Sequence, residues 1–252
     1  MIRASELVVH RGEQRVLNGV SFSAQGGEVT CILGPNGAGK STLLSALAGL
    51  LPISSGAVSV GDVELASLSH RARARKVAFV PQRTGLRSSL HVQTVVSHGR
   101  YAHSGGLGRP GPADLEAIEE AMKETDVIGL RERRFDQLST GERRRVLIAR
   151  ALATRAEVLL LDEPAAALDV RYTLELHALM RRLADSGRCV VVVLHELDAA
   201  RTLAEHAVLL SGGKPVATGP SSEVVSAEHI RNVYGVELVE EGALGFRLGD
   251  LR

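Results

Sequence analysis

Apolar residues run along the chain in two rhythms. Near the N-terminus they alternate with polar ones. "ELVVH" and "RVLNGVSFSA" flank the turn-like "RGEQ", and "GAVSVGDVEL" sets Gly-Asp between two alternating segments. Alternation sends successive side chains to opposite faces, so this part predicts antiparallel hairpins. Later runs, "EVTCIL", "KVAFVPQ", "EVLLLD", "CVVVVLH" and "HAVLL", are nearly continuous. They suit strands covered on both faces. Helical spacing marks "GKSTLLSALAGL", residues 170–185 and residues 196–205. Strands alternating with helices predict an α/β fold with a mostly parallel sheet.

The character changes over residues 83–152. "HVQTVVSHGRYAH", "ADLEAIEEAMKETDVIGL" and "GERRRVLIARALA" are helical patterns, and "SGGLGRPGP" between the first two is too rich in Gly and Pro for regular structure. The expectation is one domain over 1–252, with a helical subdomain at 83–152 inserted in its core. The tail at 220–252 reads as two short helices and a small hairpin.

Composition narrows the classes. Net charge is +1, so no overall basic field recruits nucleic acid. Three basic clusters, "RARARK", "RERR" and "RRR", read as solvated or acid-paired helix faces; with only 3% aromatics, stacking on bases has little support. No apolar run approaches the ~18 residues of a membrane helix, and "MIRASELVVH" lacks a signal peptide's apolar stretch. Cys31 and Cys189 lie inside apolar runs and read as buried hydrophobes rather than a disulfide. The expected compartment is the cytoplasm.

The chemistry concentrates at strand ends. "GPNGAGKST" (Gly34, Pro35, Asn36, Gly37, Ala38, Gly39, Lys40, Ser41, Thr42) matches GxxxxGK(S/T) between a strand and a helix. Its glycines let backbone N–H groups wrap phosphate oxygens; Lys40 can reach the β- and γ-phosphates, and Ser41 can coordinate Mg²⁺. "EVLLLDEP" ends in two acids: Asp162 would support Mg²⁺, directly or through water, and Glu163 would polarise the attacking water. His195 ends another strand as a candidate γ-phosphate contact. Gln82, after "VAFVP", is a candidate Mg²⁺ or water ligand. Alone, each of these last four has an ordinary surface reading; the phosphate loop changes the weighing.

A second anion-reading feature remains. In "QLSTGERRRVLIARAL", Ser139, Thr140 and Gly141 offer a cap and free N–H groups at a helix start, where the dipole favours negative charge. The phosphate loop, Gln82, "LSTGE", "LLLDEP", "ALD" and His195 occur in that order. The whole chain resembles the ATP-binding subunit of an ABC transporter, and is most similar to importer subunits for iron-siderophore, haem and cobalamin through "HGRYAH", "RARARKVAFVPQ" and "RNVYGVEL". The resemblance implies a head-to-tail dimer with two ATPs at the interface, in which Ser139 and Gly141 contact the partner's γ-phosphate. Two positions depart from the usual LSGGQ: Thr140 and Glu142. Arg11 occupies the place of an aromatic that stacks on adenine, and a guanidinium can lie on a base. ATP and Mg²⁺ are then the expected ligands. Membrane permease subunits and a separate substrate-binding protein are the expected partners, at the cytoplasmic face of the membrane. Rival readings are an exporter ATPase, a non-transport ABC ATPase acting on DNA or ribosomes, and a small-molecule kinase.

Overall fold

The computed structural model describes residues 1–82, 89–103, 110–166, 168–241 and 243–248. Among them, strands β1 (Ile2–Arg11), β2 (Gln14–Ala24), β4 (Ser55–Val60) and β5 (Val63–Glu64) form an antiparallel sheet in the order β2-β1-β4-β5. A second sheet holds β3 (Val29–Leu33), β6 (Val77–Val80), β7 (Val158–Asp162), β8 (Cys189–Val193), β9 (His206–Ser211) and β10 (Lys214–Pro220). Its order is β10-β9-β3-β8-β7-β6, parallel throughout except for β10. The expected mostly parallel sheet with an N-terminal antiparallel part is therefore present.

Two details differ from the expectation. β1 starts at Ile2 rather than near Glu6, because Ile2 pairs with both Ala24 and Val60. The alternation is hidden by an irregularity between Ala4 and Leu7, where Glu6 takes φ 48°. β5 is only two residues long, since Leu65–Ser67 turns into a short 3-10 helix.

The helices among the described residues are α1 (Lys40–Leu47), α2 (His70–Lys76), α3 (Val92–Ser97), α4 (Pro112–Glu124), α5 (Thr140–Leu152), α6 (Val170–Asp185), α7 (Leu197–Leu203), α8 (Ser221–Val224) and α9 (Ala227–Tyr234). Thus α3, α4 and α5 lie between β6 and β7, and the tail carries α8, α9 and the hairpin β11 (Val236–Glu241) and β12 (Ala243–Leu248). Most of the Gly- and Pro-rich linker, residues 104–109, lies outside the described residues.

The period of two divides the core. Leu159, Leu161, Val190 and Val192 pack with α3, α5 and α6; Val158, Leu160, Val191 and Val193 pack with α1 and the antiparallel sheet. Burial on both faces is why these runs read as continuously apolar. Cys31 and Cys189 are free and buried within them. Among the described residues, no helix is long and apolar enough to cross a membrane.

Candidate active site

Strand register assembles the site. Val80 pairs with Leu161, Leu161 with Val192, and Ile32 and Asp162 each with Val193. The residues just past these pairs are Gln82, Glu163, His195 and the loop beginning at Gly34. Four separate stretches therefore meet at the carboxyl edge of one sheet, where parallel α/β sheets bind ligands.

The loop from Gly34 to Gly39 needs glycine at both ends. Gly34 has φ 142°, and a Cβ there would stand 2.2 Å from the Leu210 carbonyl oxygen. Gly39, at φ 100°, caps α1, and a Cβ there would meet Leu17 at 2.8 Å. Between them the turn closes with Ala38 N–H donating to the Pro35 carbonyl at 3.2 Å, and Asn36 and Gly37 are exposed. Lys40 and Thr42 are buried at the start of α1. The Lys40 ammonium donates to the carbonyls of Gly34 (2.6 Å) and Pro35 (3.0 Å), closing the loop onto itself. Burial lowers its pKa, opposed by the charges of Glu163 and Asp162.

Ser41 Oγ donates to Asp162 Oδ1 at 3.1 Å. Burial pushes the Asp162 carboxyl up from the ordinary carboxylate range, against the Ser41 hydrogen bond. Among the described residues, no group of three or more His, Cys, Asp or Glu could hold a metal by itself. Mg²⁺, however, takes one or two protein oxygens plus substrate phosphates. A hydroxyl beside a buried carboxylate fits that ion.

Glu163 lies between two partners. His195 Nε2 is 2.5 Å from its Oε1, and the Gln82 amide donates to its Oε2. The three residues form one cluster, with Glu163 mostly buried and His195 half-exposed. Gln82 is thus directed at Glu163 rather than at Ser41. The backbone of Glu163 has φ 45°, a left-handed conformation costing an L-residue about 1–2 kcal/mol.

Ser139 is set differently. It caps α5, accepting from Glu142 N–H at 3.2 Å, while Glu142 Oε2 accepts from Ser139 N–H at 2.8 Å. Thr140 is exposed on the first helical turn, which explains how a β-branched residue is tolerated there. A Cβ on Gly141 would meet the Tyr172 ring at 3.6 Å and the Leu168 side chain at 3.8 Å, both ordinary contacts, so this chain's own packing does not require glycine there. Among the described residues, neither Ser139 nor Gly141 hydrogen-bonds to the phosphate loop. Arg11 is exposed at the tip of the β1–β2 hairpin, opposite Gln14. That hairpin abuts the loop through Val16, whose carbonyl oxygen is 3.2 Å from a Cβ built on Gly39. Neighbouring His10 is bonded to Ser54 Oγ at 2.8 Å.

The reading of "RRR" as a solvated or acid-paired face is corrected at Arg144. Only 8% exposed, it donates to the carbonyls of Pro81 (2.6 Å), Asp162 (2.8 Å) and Pro164 (3.0 Å). Burial pushes its guanidinium down to about 10, so it remains charged at neutral pH. Helical phase carried the signal: Arg144 follows Gly141 and precedes Leu147 and Ile148 on the buried side of α5. Its neighbours behave as expected, Arg145 pairing with Asp126 at 2.9 Å.

The ABC transporter family model matches residues 17–166, which span the phosphate loop, α5 and the two acids. The chain belongs to the ABC transporter family. It is 41% identical over 250 residues to the hemin import ATP-binding protein HmuV of Rhodococcus jostii (strain RHA1), covering 98% of this chain and 85% of that protein. It is 44% identical over 231 residues to the protein of the same name from Streptomyces coelicolor (strain ATCC BAA-471 / A3(2) / M145), covering 92% and 82%. A bacterial ABC transporter cassette solved as a dimer is 28% identical, with a TM-score of 0.77 over 88% of this chain and 99% of that one. This ABC ATPase therefore binds and hydrolyses ATP, which makes the edge of its sheet the place to look for the reaction.

Proposed function

We propose that this chain drives a haem importer, with two copies closing on two ATPs. The convergence of Lys40, Ser41, Gln82, Asp162, Glu163 and His195 at one sheet edge carries the mechanistic reading. Both named relatives are hemin import proteins, which supports haem as cargo. Gly34, Pro35, Asn36, Gly37, Ala38 and Gly39 would present backbone N–H groups to the phosphates. The Lys40 ammonium, now on the carbonyls of Gly34 and Pro35, would turn to the β- and γ-phosphates. Thr42 would extend the cradle along α1. Ser41 and Asp162 would hold Mg²⁺, which supplies charge neutralisation on the phosphates.

Glu163 would accept the proton of the water attacking the γ-phosphate. Its carboxylate has about four acceptor sites, and His195 and Gln82 take only two of them. His195 would orient that carboxylate and face the γ-phosphate; Gln82 would report occupancy to the helices that follow. Ser139 and Gly141 would serve the partner's γ-phosphate from the start of α5, where Ser139 and Thr140 are exposed. Arg11 would lie on adenine beside the loop.

The helical subdomain at 83–152 would carry motion to membrane subunits. A groove of about 430 Å³, lined by Leu50, Arg73, Phe79, His98 and Tyr101 among others, offers them a seat next to α3, with Leu50 and Tyr101 well exposed. These permease subunits, fed by a separate substrate-binding protein, place the chain at the cytoplasmic face of the membrane.

Glu163→Gln keeps the shape and removes the proton acceptor. It is expected to lower turnover about a hundredfold or more, while a labelled ATP analogue still binds. Turnover within about threefold of wild type would remove Glu163 from this role. Haem-stimulated hydrolysis in vesicles holding the permease tests the cargo; stimulation by another metal chelate but not haem would replace it.

A further inference from the structure

Arg144 reaches the site from behind. Besides the carbonyls of Pro81, Asp162 and Pro164, its guanidinium lies 3.4 Å from that of Gln82. These four oxygens belong to two strand ends and flank the two side chains that meet there. Pro81 and Gln82 directly follow β6; Asp162 and Pro164 stand on either side of Glu163. The left-handed backbone at Glu163 persists only where its surroundings over-determine it. Arg144 holds the carbonyl oxygens of the residues on either side of Glu163, Asp162 and Pro164.

The charge of Arg144 has no carboxylate in ion-pair contact among the described residues. Its neighbours across the packed face are carbonyl oxygens, with Asp162 and Glu163 acting at longer range. A planar fork suits several fixed oxygens at once, and an ammonium does not. Arg144 also lies five residues after Ser139, about 7.5 Å along a continuous helix. The capped end of α5 and the backbone of Glu163 are therefore joined by one side chain.

This rests on the reading in which Ser139 and Gly141 face the partner's nucleotide. We infer that Arg144 is a positioning residue that makes Glu163 of each chain depend on the nucleotide held at the start of that chain's α5. In a head-to-tail pair, the α5 start and Glu163 of one chain serve different ATPs. When a phosphate draws the start of α5 towards itself, Arg144 carries the displacement to Pro81–Gln82 and Asp162–Pro164. Occupancy at one site thereby sets the base at the other. Without the fork, the Glu163 backbone relaxes and its side chain leaves Gln82.

The test uses the full chain with Arg144→Lys and Arg144→Met. Steady-state hydrolysis gives kcat, KM and the Hill coefficient for ATP. Titration with a labelled ATP analogue counts binding-competent sites, and thermal melting reports folding. The expected result is a fall in kcat per titrated site of about tenfold to a hundredfold. KM should stay within about twofold, and the Hill coefficient should fall towards 1. Lys should not rescue, because one ammonium cannot span the four oxygens. A structural role alone would lower the melting temperature and leave kcat per site unchanged, which overturns the proposal. Lost kcat with an unchanged Hill coefficient overturns the cross-site link. If Arg144→Met does not fold, Arg144→Lys decides. Glu163→Gln is measured alongside: normal turnover in that variant counts against the base assignment, whereas normal turnover in Arg144→Lys alone counts against the clamp.

Discussion

Glu142 and Ser139 each close an open group of the other, so a departure from the family's usual Gln becomes a reciprocal cap. The Ser139 N–H holds the Glu142 carboxyl below the ordinary carboxylate range, with burial opposing. A depressed pKa in the folded state means stabilisation that is present above the unfolded-state value and lost as pH falls through the folded one. Glu142→Ala should therefore cost about 1 kcal/mol at pH 7. The difference from wild type should shrink as pH drops below about 4, and Glu142→Gln, which keeps an acceptor but not the charge, should fall between wild type and Glu142→Ala at pH 7. Urea curves at both pH values check this; a constant difference across pH removes the charge from the explanation. Lys40 is the other residue-scale case. Its ammonium already sits on the carbonyls of Gly34 and Pro35, so Lys40→Ala removes a partly desolvated cation at the loop. ATP affinity should drop by at least about tenfold in equilibrium binding; unchanged affinity would place the phosphates elsewhere.

At the scale of elements, α5 is the hub. It caps at Ser139, clamps two strands through Arg144, and packs against the turn after α3. There the backbone comes very close: a Cβ on Gly99 would stand 2.2 Å from the Arg150 carbonyl oxygen and 3.0 Å from the Ala153 Cβ. Gly99→Ala should push the end of α3 away from α5 and cost about 1–3 kcal/mol. Chemical denaturation reads the shift in midpoint, and a midpoint equal to wild type would mean the two elements separate freely. Because Arg100 donates to the Ala153 carbonyl (2.8 Å) and to Asp114 (2.8 Å), the same displacement would strain the link to α4. "HGRYAH", which marked the resemblance to importer subunits, therefore also has a packing role through Gly99 and Arg100.

For the whole molecule, the decisive feature is what the capped end of α5 lacks. Ser139 contacts Glu142 and no phosphate-loop residue among those described, and Gly141 has no steric need to be glycine. A two-fold pairing would make one surface patch complete both sites. Ser139→Arg should spare ATP binding to a single chain and block ATP-driven dimerisation, because under the proposed pairing a long side chain at the start of α5 would stand where the partner's phosphate has to dock. Light scattering with ATP, in the Glu163→Gln background that preserves the nucleotide, measures it. Dimers forming as readily as without the Ser139 change would sink the cross-interface role.

Sequence alone determined the elements whose signals are local. The phosphate loop is legible because only glycine fits the positive φ at Gly34 and Gly39, and doubly covered strands are legible because both faces of "VLLLD" and "CVVVV" are buried. The ordered motifs were enough to place the chain among ABC ATPases. Tertiary structure decided what depends on register and helical phase. Nothing in the order of residues says that Val80 pairs with Leu161, yet that pairing brings Gln82 to Glu163 across 81 positions. Nor does a run of three arginines say which one turns inward; α5 packs Arg144 against two strand ends and leaves Arg143 exposed. Pattern reveals which face of an element is apolar. Which distant backbone oxygens a buried cation meets is set only when the elements have packed.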